Sequence, residues 1–191
     1  MRLFELLLRL FTARGWAGRL SALAALAVAG YALWQGELSA RPLDNAPSAS
    51  LQGRVVGVQD GDTLELLDAS SQTHRVRLAF IDAPEHAQPY GTRARQHLAQ
   101  LVFGKPITVK VNGEDKYGRV LGEVSQAGRD ISAEQLAAGL AWHYVHYAQR
   151  DQAPAHFQRY QQLQTEARQQ GVGLWQQARP QAPWDYRQQR R

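Results

Sequence analysis

The chain has 191 residues, enough for one domain with a real core and short for two. Its 44% hydrophobic and 20% charged residues exclude a disordered chain, and a formal net charge of +5 favours polyanionic partners such as nucleic acid or anionic lipid. With no cysteine, disulfides, thiolate metal sites and thiol nucleophiles are excluded.

The N-terminus reads as a targeting segment rather than as part of a fold. Arg2, Arg9, Arg14 and Arg19 punctuate apolar stretches, and residues 20–34 then run without a charge. Those fifteen residues reach about 22 Å as a helix, short of a hydrocarbon core of about 30 Å. With Trp16-Ala-Gly before the run, Trp34 is placed as an interfacial anchor for a thinned or snorkelled span. A cleaved secretory signal is the alternative. Its cleavage site is poor, because Leu38-Ser39-Ala40 puts Leu where a small residue is preferred. Residues 1–36 are therefore expected to be a signal anchor forming an apolar helix, with the rest of the chain outside the cytoplasm, or secreted if cleavage occurs. Residues 37–50, polar and small with two prolines, read as a linker. No internal repeat is present.

Residues 51–58, 63–68 and 73–80 read as strands, with Asp60-Gly61 as the turn between the first two. Val76, Leu78 and Phe80 alternate with Arg75, Arg77 and Ala79, so one face is buried and the other carries cations. From residue 92 to 103 the period becomes helical, with Ala94, Leu98, Leu101 and Val102 on one stripe. Residues 107–111 and 119–124 are two more strands. Ser132 and Gln135 have the spacing of a capping box opening a short helix. A last helix over 155–170 turns Phe157, Tyr160, Leu163 and Ala167 inward and stops at Gly171 and Gly173. The basic, Gln-rich and Arg-rich tail at 178–191 is expected to pack loosely. The fold class expected is α+β, mainly a five-stranded barrel of the OB type with about three helices, preceded by the N-terminal apolar helix.

Three segments carry chemistry. Asp60-Gly61-Asp62-Thr63 is a tight turn bearing carboxylates. It fails as an EF-hand loop, since Leu64 falls where an oxygen ligand is needed and Ser71 replaces the bidentate Glu. In the run from Arg77 through Asp82-Ala83-Pro84-Glu85, apolar residues lead straight to two carboxylates, with an arginine five positions before the first. A plain strand running into a helix cap would not need that arginine. Asp115-Lys116-Tyr117-Gly118-Arg119 is a polar hairpin tip or, read functionally, a phosphate clamp of ammonium, phenol and guanidinium. Acids and arginines gathered in this way, with a hard cation, suit chemistry that builds negative charge on oxygen atoms. His143, His146 and His156 match no helical zinc spacing. Trp142, Tyr144 and Tyr147 around them suit a barrel wall or a stacking platform for bases. Gly104-Lys105 lacks the rest of a nucleotide-binding glycine loop.

In this order and on these strands, the three segments resemble the signature of the staphylococcal nuclease family over residues 53–175. Gln88-Pro89-Tyr90-Gly91 and Gly173-Leu174-Trp175 are similar to its bacterial members. The resemblance implies calcium-dependent hydrolysis of DNA and RNA with 3′-phosphate products, carried by a nuclease domain at 51–177. Asp62 and Asp82 would be calcium ligands, and Ala83 would add its backbone carbonyl. A well-known member has Thr at that position, a change that a main-chain ligand tolerates. Arg77 and Arg119 would hold phosphoryl oxygens, Glu85 would orient or deprotonate the attacking water, and Lys116 and Tyr117 would bind a terminal phosphate of the substrate. No protein partner is expected, and a monomer is. The alternative is an inactive OB module that binds single strands, which would need cations and aromatics but not three acids.

Overall fold

The computed structural model describes residues 49–190. The expected N-terminal helix and most of the linker lie outside those residues. Among the described residues no helix is long and apolar enough to cross a membrane.

Five strands close into a barrel. β1 (Ser50–Val58) pairs antiparallel with β2 (Thr63–Asp68), which pairs antiparallel with β3 (Thr73–Leu78). On its other side β1 pairs with β5 (Pro106–Glu114), and β5 pairs with β6 (Val120–Gln126). A parallel contact between β3 and β6 closes the ring, giving the order β3-β2-β1-β5-β6. Period-2 patterning drives this arrangement: Leu64 and Leu66 on β2, Val76 and Leu78 on β3 and Ile107 and Val109 on β5 all point inward and are buried. Bulges between Val55 and Gly57 and between Val111 and Gly113 sharpen the curvature that closure requires. The expected OB-type barrel is thus the architecture observed.

Helices cover the barrel's open side. α1 (Gly91–Val102) lays Ala94, Leu98, Leu101 and Val102 on the core. α2 (Ile131–Ala137) adds Ile131, Ala133 and Leu136 and packs on α4 (Pro154–Gln169). Each of these fully buried Leu or Ile side chains contributes about 1.5–3 kcal/mol relative to exposure. Three further short elements follow or intervene: α3 (Val145–Asp151), a 3-10 turn over Gly173–Gln176, and α5 (Pro183–Gln188). Among the described residues there are therefore five α-helices rather than about three.

Three local expectations are corrected. β3 stops at Leu78, because Phe80 turns into the left-handed region at φ 64° and sends the chain back as a two-residue strand, β4 (Ile81–Asp82). β4 pairs with β8 (Trp142–His143), so Asp82 lies opposite Trp142. β7 (Arg129–Asp130) turns back to pair antiparallel with β6 and ends at the true cap of α2: Asp130 accepts from the Ala133 N–H. Ser132 instead donates to the Ala79 carbonyl, and Gln135 is buried. The tail is ordered. Ala182 and Pro183 are buried, and Trp184 stacks on Tyr144 at 5.2 Å between ring centres.

Candidate active site

The acids gather where β2 begins and β4 ends. The turn before β2 closes through Gln59 N–H to the Thr63 carbonyl, and Asp60 Oδ1 accepts the Asp62 N–H at 3.0 Å. Gly61 is needed at its centre, since a Cβ there would sit 2.5 Å from the Ala94 methyl and 2.7 Å from that of Ala83. Gln135 fixes the turn from below, donating to the Gly61 and Ala94 carbonyls at 2.6 and 3.1 Å. Asp62 is thereby buried, with Oδ2 accepting the Ala83 N–H at 2.7 Å.

Register places Arg77 on β3 directly opposite Thr63. Its guanidinium pairs with Asp62 through Nη1 and donates from Nη2 to Asp82 Oδ1 at 2.8 Å. The Phe80 turn makes this possible by folding Asp82 back beneath the strand that carries Arg77. Glu85 stands at the rim, half-exposed. Its N–H donates to the buried Gln88 at 2.8 Å, and Gly91 lets α1 start against its carbonyl, where any side chain would clash.

Electrostatics mark the cluster as crowded with negative charge. Burial pushes Asp60 up to about 7, with the Asp62 charge adding to it. Burial also raises Asp82, although Arg187 and Arg77 oppose the rise. Asp62 is buried too, but Arg77 and the Ala83 N–H outweigh that and hold it low. Burial disfavours the Arg77 charge, yet Asp62 and Asp82 beside it hold its pKa above the ordinary value.

The remaining expected residues form a second cluster on the β5–β6 hairpin. Asp115 organises its tip, accepting the Tyr117 and Arg119 N–H groups at 2.9 and 3.1 Å. Arg119 pairs with Asp115 at 2.7 Å rather than with the buried acids. Lys116 and Arg119 lie over the exposed Tyr117 ring at 5.0 and 5.5 Å. The parallel β3–β6 contact sets Val120 beside Val76, so this hairpin opens next to the strand that carries Arg77. His143 is bonded to Gln152, His156 to Glu123, and His146 lies against Tyr147, so the three histidines are engaged at separate places.

Sequence reasoning missed two charged residues at the site. Asp60 had a signal, as a second acid two positions before Asp62 on one turn. Arg187 had none: it lies 105 positions from Asp82 yet donates to Oδ2 at 2.7 Å, to Oδ1 at 3.2 Å and to Glu85 Oε1 at 2.7 Å.

The donor set fits a hard divalent cation. It consists of carboxylate oxygens and backbone carbonyls with no His or Cys, and the raised Asp60 and Asp82 are groups that added positive charge would relieve. Among the described residues no three His, Cys, Asp or Glu side chains form a ready cage. Such a cation would thus rest on few protein ligands with water completing its shell.

A profile described as staphylococcal nuclease homologue matches residues 75–177. A protein named "Uncharacterized endonuclease" from Escherichia coli is 43% identical over 140 residues, covering 73% of this chain and 86% of that protein. A protein named "Micrococcal nuclease" from Shigella flexneri is 41% identical over 148 residues, covering 73% of this chain and 82% of its own length. "Staphylococcal-like nuclease CAN1" of Arabidopsis thaliana is 36% identical over 138 residues, covering 72% of this chain and 39% of that protein.

Proposed function

The chain belongs to the staphylococcal nuclease family, and from that premise we propose that its barrel, residues 51–177, hydrolyses phosphodiester bonds in DNA and RNA in a calcium-dependent reaction that leaves 3′-phosphate ends. The observation that carries this reading is one buried guanidinium, Arg77, bridging Asp62 and Asp82 with Glu85 at the rim.

Calcium would be held by Asp62, Asp82 and the Ala83 carbonyl and, when bound, supplies the positive charge that polarises a phosphoryl oxygen. Arg77 is locked by two carboxylates, so its charge meets the developing negative charge with little reorganisation. Glu85 combines a fixed backbone with a rim side chain that is 37% exposed and paired with Arg187, and its place at the rim suits it to orient or deprotonate the attacking water. Arg119 adds a second guanidinium from the hairpin, and Lys116 and Tyr117 beside it bind a terminal phosphate of the substrate. Pure strand binding, the alternative, gives no use to three acids beside a buried arginine.

The same proposal places the domain outside the cytoplasm on a signal anchor at residues 1–36, because four arginines precede the apolar run and Arg41 is the first cation after it. A full-length chain whose domain resists protease added from outside the cell would contradict that placement. The reaction itself is tested on the purified full-length chain with DNA and RNA oligonucleotides. Product ends should block polymerase extension until a phosphatase removes the 3′-phosphate. Ends that extend at once, with free 3′-hydroxyls, would overturn the assignment.

A further inference from the structure

α5 is anchored over the acids by contacts that do not involve them. Pro183 starts the helix behind buried Ala182. Trp184 stacks on Tyr144, 7° from parallel, and meets Trp142 edge-on at 5.6 Å. The Gln181 carbonyl accepts from Gln88 Nε2 at 3.3 Å. From this base Arg187 covers Asp82 and Glu85. Asp82 Oδ1 takes a donor from Arg77 and one from Arg187, Oδ2 takes a second from Arg187, and the side chain is 1% exposed. No face of Asp82 remains open to solvent. The two guanidiniums differ in one respect: Arg77 is 14% exposed and Arg187 is 39% exposed. Arg187 is thus the more exposed of the two guanidiniums on Asp82.

We propose that the C-terminal segment, residues 178–191, is an internal occupant of the active site: Arg187 stands on Asp82 and Glu85 where the metal belongs, Trp184 covers the Tyr144 ring, and metal and nucleic acid bind only once α5 lifts away. The proposal rests on Asp82 being a metal ligand, as argued above. A calcium ion needs an Asp82 oxygen at roughly 2.3–2.6 Å, and Arg187 fills that approach with a like charge. Ligand affinity then falls in proportion to the fraction of chains that are open, so a segment closed in about nine chains of ten weakens binding about tenfold. A polyanionic substrate favours opening, because its phosphates compete with the two acids for Arg187. The segment lies beyond residue 177, where the match to the family profile ends.

The test is calcium titration by calorimetry on the full-length chain, on Arg187→Ala, and on Trp184→Ala, which loosens α5 without touching an acid. Asp82→Asn is the control. Each tail variant should bind calcium about tenfold more tightly than the wild type. In the wild type, calcium should also speed tryptic cleavage after Arg187. Unchanged or weaker calcium affinity in both tail variants would overturn the proposal, as would calcium slowing that cleavage. The two levels of failure separate. If the wild type and both tail variants bind calcium equally and Asp82→Asn does not, the metal site stands and the occupant falls. If none binds calcium, the metal assignment fails and the proposal fails with it.

Discussion

Arg77 Nη2 donates to Asp82 Oδ1 at 2.8 Å, although β3 and β4 are joined by a turn of two residues. The same guanidinium pairs with Asp62, so one side chain ties the start of β2 to β4 and fixes both acids at once. Catalysis and folding therefore share a residue here, and their contributions can be separated by comparing the two arginines.

Arg77→Ala should lower turnover by roughly 10² to 10³ while substrate affinity changes much less. It should also cost about 3–5 kcal/mol of stability, because buried Asp62 loses its counter-charge and Asp82 keeps only Arg187. Arg119→Ala should lower turnover comparably and cost at most about 1 kcal/mol, since its partner Asp115 sits on a surface hairpin. Lysine at either position should restore little, as the fork that spans two acceptors is lost. Kinetics paired with urea denaturation of both alanine variants checks this, and equal stability losses would contradict it.

Glu85→Gln should lower turnover about 10²-fold or more and move stability by less than about 1 kcal/mol. Its side chain is 37% exposed and its backbone, not its carboxylate, holds the loop through Gln88. A variant with wild-type turnover would remove Glu85 from the reaction.

Acid sensitivity should arise partly at His143. Its ring is buried between Phe157 and Tyr160, with Nε2 on Gln152 at 2.9 Å and Nδ1 unpartnered. Burial pushes its pKa below 6.5, although the Gln152 hydrogen bond opposes this. Tyr160, raised by burial and by Asp130, stays neutral throughout. The unfolded chain thus takes up this proton at a higher pH than the folded chain. The stability it contributes is complete above about pH 6.5 and is lost as pH falls below that. The stability advantage of wild type over His143→Gln, measured by urea denaturation, should shrink between about pH 7.5 and about pH 5.5. An advantage that grew on acidification would contradict the sign.

The barrel was legible because its strands are long enough for period-2 burial to show, as on β2 and β3, and α1 because Ala94, Leu98 and Leu101 keep helical spacing. β4 and β8 are two residues each, too short to carry a period, and are set by the pairing of Asp82 with Trp142. The Ser132–Gln135 pair has the right spacing for a cap, but Asp130 lies closer to the start of α2 and its carboxylate reaches the Ala133 N–H. Gln135 is then free to hold the Gly61 turn from inside the core. Asp62, Arg77, Asp82, Ala83 and Glu85 do come together, since they sit on adjoining strands and one turn. Arg187 was invisible because a salt bridge between the chain's end and its middle leaves no local pattern.

Calcium dependence of cleavage is the most direct test of the central claim. The full-length chain and Asp82→Asn are each given plasmid DNA and RNA across a calcium titration, with chelator as the zero point. Two acids and a carbonyl predict weak binding, so wild-type cleavage of both polymers should rise over about 10⁻⁴ to 10⁻³ M calcium, vanish in chelator and be poorly supported by magnesium. Asp82→Asn should stay near background throughout. Wild-type cleavage that persists in excess chelator, or an Asp82→Asn chain as active as the wild type, would contradict the account.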